Sequence, residues 1–279
     1  MFDRVVVVDW SASSRPVRGR DSIWIAVADT ASGVVTATNP ATRSSASGEL
    51  DRVCRGAGTT LLGVDFSLGY PAGTATRLGL TGTPWRATWN LLSDLIVDAD
   101  DNTNNRFEVA AELNARLGPG PGPFWGCPPS RRSPALTSTK VGSAPLAEWR
   151  TVERSLRHAG HRPFSAWQLL GAGSVGSQSL VGIPRLARLD AAWRAEGRHV
   201  EVWPFGSWTG GAPVPDVVIG EVWPSVYPLP ELDGRVRDEV QVVETARRLA
   251  SGVDFGLGGV SSGETMRNVR GEEGWLLGA

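Results

Sequence analysis

The opening of the chain carries the pattern that most restricts its fold. Residues 4–10, Arg-Val-Val-Val-Val-Asp-Trp, form a short β-branched run without polar alternation, the mark of a strand covered on both faces. In residues 22–29, Ile23, Ile25 and Val27 alternate with Trp24, Ala26 and Ala28, and Ala31-Ser32-Gly33 then turns the chain into Val34-Val35-Thr36-Ala37-Thr38. A helix capped by Ser47 and carrying Leu50, Val53 and Cys54 is expected to stop at Gly56, ahead of the buried run Leu61-Leu62-Gly63-Val64-Asp65. Short links make the first three strands antiparallel neighbours, and a helical crossover returns the fourth parallel to the first. The order is β-β-β-α-β, which predicts an α/β fold built on a mixed sheet.

Residues 74–198 are mainly helical in pattern and are expected to form an insertion in a core made of residues 1–73 and 199–279. Trp85, Trp89, Leu92 and Ile96 share one helix face, as do Phe107, Ala110, Ala111 and Asn114. Ser143, Pro145 and Glu148 suit a helix start, with Leu146, Trp149, Val152 and Leu156 along its apolar stripe. Another helix is expected from about Pro184 to Glu196, strands at residues 199–203 and 217–223, and an amphipathic helix from near Asp238.

Charge is balanced overall but not along the chain. Lys and Arg number 28 against 29 Asp and Glu, yet residues 128–200 hold ten Arg and Lys140 against four acids, a local +7 facing -8 elsewhere. This asymmetry suggests an anion-facing element beside a carboxylate-rich body, suited to a nucleotide or short single strand rather than a long duplex. No apolar run reaches the roughly 18 to 20 residues of a membrane helix, and Met1-Phe2-Asp3-Arg4 does not begin a signal peptide, so a soluble cytoplasmic chain without membrane partners is expected. Two cysteines, Cys54 and Cys127, make neither a disulfide framework nor a zinc site.

Ligands collect at the C-terminal ends of parallel strands. Asp9 and Asp65 occupy two such ends, and neighbouring strands about 4.8 Å apart would bring their carboxylates together. Like charges so placed call for a cation, and a hard ion such as Mg²⁺ takes oxygen ligands and keeps waters. Glu221, ending another apolar run, and Asp238, opening the last amphipathic helix, are candidates for further oxygen ligands. Trp10 and Trp223, next to these acids, offer faces for a base or ring, and Arg131, Arg132 and the lone Lys140 offer phosphate contacts.

The strand order, the Asp-aromatic-Ser ends of the first and fourth strands (Asp9-Trp10-Ser11 and Asp65-Phe66-Ser67), Glu221-Val222-Trp223-Pro224 and the late Asp238 together resemble an uncharacterised bacterial family of predicted nucleases with a ribonuclease H-like fold. The resemblance covers residues 1–73 and 199–250. It implies phosphodiester hydrolysis with two Mg²⁺ or Mn²⁺ ions, Asp9 bridging them and Asp65, Glu221 and Asp238 completing the catalytic ligand set.

Two other readings stay open. The same fold start serves the actin and sugar-kinase group, in which Ser11 and Ser67 would belong to two phosphate loops of an ATP-binding phosphotransferase. Alternatively, the chain is a non-catalytic module that binds a small anion or a protein. Gly171-Ala-Gly-Ser-Val-Gly176 matches a dinucleotide fingerprint without its strand or its acid, and Gly259-Val-Ser-Ser-Gly263 matches a hydrolase elbow without a following histidine; neither is adopted.

Overall fold

The computed structural model describes residues 2–142, 145–171, 173–258, 260 and 262–278; Met1, Ser143, Ala172, Gly259 and Ser261 of the motifs above lie outside them. It is an α/β protein. Strands β1 (Arg4–Asp9), β2 (Trp24–Asp29) and β3 (Val35–Thr38) are followed by helix α1 (Arg43–Cys54) and β4 (Thr60–Val64). Helices α2 (Thr74–Arg77), α3 (Pro84–Leu95), α4 (Arg106–Leu117), α5 (Thr151–His158) and α6 (Gly176–Ala195) come next, then β5 (Val200–Val202), β6 (Val217–Glu221), α7 (Arg237–Ser251) and α8 (Glu264–Asn268).

The six strands form one mixed sheet in the order β3-β2-β1-β4-β6-β5. β1 and β2 pair antiparallel, as do β2 and β3, whereas β1 with β4, β4 with β6, and β6 with β5 pair parallel. Both faces are covered, which explains the unbroken apolar character of β1. Val6 and Val8 point into one core with Leu62, Val64, Leu180 and Trp193; Val5 and Val7 point into the other with Leu61, Val218, Val242 and Trp275. The strand pleat that sends alternate side chains to opposite faces produces this division. Helix α6, within the stretch expected as an insertion, contributes Leu180, Val181 and Ile183 to the same core cluster as β1 and β4.

Three helix boundaries differ from expectation. Helix α1 starts at Arg43 with Thr42 as its cap, accepting from the Ser45 N–H at 3.1 Å, while Ser47 lies inside the helix and its hydroxyl donates to the Arg43 carbonyl. Helix α5 starts only at Thr151, because Glu153 reaches back to the Arg150 N–H at 2.7 Å and fixes the first turn there; Leu146 and Trp149 precede it. Helix α6 starts at Gly176 and carries Pro184 in its interior, the burial of Leu180, Val181, Ile183 and Leu186 outweighing the lost backbone bond. No helix among the described residues is long and apolar enough to cross a membrane.

Helix α6 lies close to the chain just beyond β4. A Cβ built on Gly182 would stand 2.4 Å from Cζ of Phe66, the fully buried neighbour of Asp65. Gly182→Ala is therefore expected to overpack this contact and destabilise the chain by about 1–3 kcal/mol, lowering the urea midpoint. An unchanged midpoint would contradict such tight seating of the α6 backbone on Phe66.

Candidate functional site

Register places the first two acids. Val8 pairs with Val64 across the parallel β1–β4 ladder, and the Asp65 N–H donates to the Val8 carbonyl at 3.1 Å, so Asp9 and Asp65 emerge side by side. Their carboxyl groups are in hydrogen-bonding contact. Asp65 also accepts from the Trp10 N–H at 2.7 Å. Burial, the charge of Asp65 and the bond to it, with smaller contributions from Asp238 and Asp21, push the Asp9 carboxyl well above its ordinary value. Burial pushes Asp65 up to about 6, although the bonds from Asp9 and from the Trp10 N–H pull the other way. The pair thus holds a proton to higher pH than free carboxyl groups do. Without a cation, two adjacent carboxylates are satisfied in this way by sharing a proton.

The pair sits in the wall of a cavity of about 720 Å³. Asp238, in the first turn of α7, lines it too and accepts from the Asp21 N–H at 2.8 Å. Asp21 is brought there by the β1–β2 connection, where it adopts a left-handed φ of 55° that Asp tolerates better than most residues. That connection is braced from both ends. Arg43, buried in α1, donates to the carbonyls of Ser11 at 2.9 Å and Ser13 at 2.7 Å while its other nitrogens hold Asp98, itself paired with Arg185 at 2.8 Å. Asn39 accepts from the Gly19 N–H at 2.6 Å and donates to the Ser22 hydroxyl at 2.8 Å.

Of the residues expected to contact substrate, Ser11, Trp10 and Trp223 line the cavity. Trp10 is buried against Phe66 with ring centroids 6.0 Å apart, and its carbonyl accepts from the Gln178 side chain of α6. Two arginines that sequence patterning did not single out, Arg20 and Arg162, line the cavity as well. Arg20 stands 3.5 Å from Asp21 in an exposed pair, and Arg162 has no ion-pair partner among the described residues. Arg43, Asn39, Asp21 and Gln178 were equally inconspicuous, since nothing local marks a residue that holds a loop from a distant element.

Other candidates lie elsewhere. Glu221 does not line the cavity: Arg150 grips both of its oxygens, at 2.8 and 2.6 Å, and binds Glu153 at 2.5 Å, all three being buried. Burial raises the Glu221 carboxyl and the Arg150 charge opposes the rise. It also accepts from the Leu68 N–H at 3.2 Å. Ser67 is buried and does not line the cavity. Arg131 pairs with Glu108, Lys140 pairs with Glu148 at 2.5 Å and Arg132 is exposed, all outside the cavity lining. The +7 of residues 128–200 is therefore partly spent inside the molecule, on Glu221, Asp98 and Glu108 from outside that stretch.

Among the described residues no group of three or more His, Cys, Asp or Glu side chains is arranged to hold a metal ion. The donor set on offer is the Asp9–Asp65 pair, two hard oxygens-bearing groups side by side. That fits one Mg²⁺ or Mn²⁺, since such ions use one or two carboxylates and complete their shell with water and substrate phosphate. It does not supply the four-acid set, because Glu221 is taken by Arg150.

Two outcomes follow. Glu221→Ala leaves the buried Arg150 with an uncompensated share of its charge, and a loss of about 3–5 kcal/mol is expected in denaturant unfolding; unchanged stability would contradict a structural role. For the dyad the sign is set by the raised values. Stability contributed by protonation is full below the ordinary carboxylate value of 3.8 and is lost as pH rises through about 6 and above. Asp9→Asn, which mimics the protonated partner, should raise metal-free stability at pH 8 by about 1–2 kcal/mol and flatten its fall between pH 4 and 8. A variant that melts lower than the parent at pH 8 would contradict proton sharing.

No family model matches the chain, and neither a curated protein nor a solved structure matches it.

Proposed function

We propose that the chain is a divalent-metal-dependent phosphoester hydrolase with a ribonuclease H-like core, acting on a nucleotide or a short single-stranded nucleic acid. The observation that carries the proposal is the Asp9–Asp65 contact at the ends of two paired parallel strands, opening into a cavity that also presents Arg20 and Arg162. The strand order β3-β2-β1-β4, with the first crossover helix between β3 and β4, supports the architecture.

Asp9 and Asp65 would hold the ion, and Asp238 lies close enough to add its negative field to both. When bound, the ion supplies positive charge to a phosphoryl group and eases ionisation of water. Arg20 and Arg162 would neutralise the remaining phosphate charge with planar donor forks. The Trp10 N–H keeps Asp65 oriented, and Arg43 holds the Ser11 and Ser13 carbonyls of the segment that lines the cavity at Ser11 and Ala12. The kinase-like reading is favoured less. Its second phosphate loop, at residues 65–69, is packed under the C-terminal segment, where a Cβ on Gly69 would meet the Glu272 carbonyl at 2.1 Å.

The test is hydrolysis of bis(p-nitrophenyl) phosphate and of a short single-stranded oligonucleotide with Mn²⁺, alongside Mn²⁺ calorimetry. Activity is expected to fall about 100-fold or more in Asp9→Asn, the scale on which one preorganised electrostatic contact acts, with Mn²⁺ affinity falling too. Mn²⁺ binding that survives both Asp9→Asn and Asp65→Asn would sink the proposal.

A further inference from the structure

A second cavity, of about 300 Å³, adjoins the acidic one. Two segments border both. His161 lines the second cavity and Arg162 the acidic one; Val226 and Tyr227 line the second, Pro224 and Ser225 the acidic one. Trp223 lines both, and the His161 ring meets it edge-on, with centroids 5.8 Å apart and planes at 76°. Trp223 is thus shared by the two cavities, and both it and His161 are at least partly exposed.

The second cavity is of a different chemical kind. Leu156 of α5, with Trp275 and Leu277 of the C-terminal segment, gives it an apolar floor, and Trp223 and Tyr227 add aromatic surface. Tyr227 is steadied by the Arg248 guanidinium, 4.9 Å from its ring centroid. Beside the two indoles, its polar side chains are those of Tyr227, His161 and Ser155. An apolar cavity with aromatic walls and a few hydrogen-bonding groups selects a flat heteroaromatic ring over a sugar, which would strand its hydroxyls there. Its volume is at the low end for ligand cavities, room for one ring system and not for a stacked pair.

We propose that this cavity receives the base of a nucleotide whose phosphate lies in the acidic cavity, with Trp223 as the wall between base and phosphate sites. The assignment rests on the phosphoester reading of the acid pair and adds the substrate class to it: a single unpaired nucleotide unit, recognised through its base as well as its phosphate. Trp223 contributes a stacking face, and His161, Ser155 and Tyr227 meet the polar edge of the ring.

The experiment uses phosphate-free probes on the full chain without metal: adenosine, guanosine, cytidine and uridine, followed by calorimetry and tryptophan fluorescence. At least one nucleoside is expected to bind. Ala159→Trp and Ser155→Trp, both at exposed rim positions where a larger side chain can fill the cavity without disturbing the core, should each weaken that binding at least tenfold while leaving Mn²⁺ affinity within twofold. Thermal melts establish that each variant is folded, and the two substitutions serve as independent checks. The proposal is overturned if no nucleoside binds, if neither substitution alters binding, or if octanoate occupies the cavity and no nucleoside competes with it. Nucleoside failure with Asp9-dependent Mn²⁺ binding intact removes the base site alone. Loss of the metal reading with rim-sensitive nucleoside binding intact removes the hydrolase reading alone.

Discussion

Parallel pairing of β1 with β4 is the constraint on which the site depends. Because the two strands run the same way and Val8 faces Val64, the residues that follow them emerge at one sheet end with no room to diverge. Both happen to be aspartates. Burial and mutual repulsion then oblige one of them to hold a proton when no cation is present. A dyad of this kind costs stability at neutral pH, and a fold retains such a cost where the groups serve a purpose other than folding.

Around that constraint the molecule separates two electrostatic tasks. Arg150, Glu153 and Glu221 form a buried cluster that ties α5 to the end of β6, and the Arg150 guanidinium also reaches the Glu273 carbonyl of the C-terminal segment. Glu272 in turn accepts from the Gly73 and Ala75 N–H groups at 2.7 and 2.6 Å. These acids have their partners built in and are closed to a ligand. The cavity groups are the opposite case: Asp9 and Asp65 satisfy each other only by sharing a proton, while among the described residues Arg20 has one exposed ion pair and Arg162 none.

Local patterning made the sheet legible. The β-branched run at Arg4, the turn at Ala31-Ser32-Gly33 and the apolar stretch before Asp65 each follow rules that act within a few residues, and β1 to β4 appear where those rules put them. Asp9, Asp65 and Trp10 were legible for the same reason, as they end or follow strands. Glu221 was not distinguishable from them by position: it too ends a strand, and only the arrival of Arg150, 71 residues away in sequence, decides its role. Helix α6 was mistimed because Pro184 reads locally as a start, whereas burial against the sheet carries the helix through it. Arg20 and Arg162 were hidden among many arginines, and their importance comes from loops that fold back over the strand ends.

The central claim is that Asp9 and Asp65 exchange their shared proton for a divalent cation. Anomalous diffraction from a crystal soaked in Mn²⁺ at pH 8 tests it directly. The account predicts a manganese peak in contact with both carboxylates on the side that opens toward Arg20 and Arg162. A map with no peak there, the two carboxyl groups still bonded to each other at saturating Mn²⁺, would contradict it.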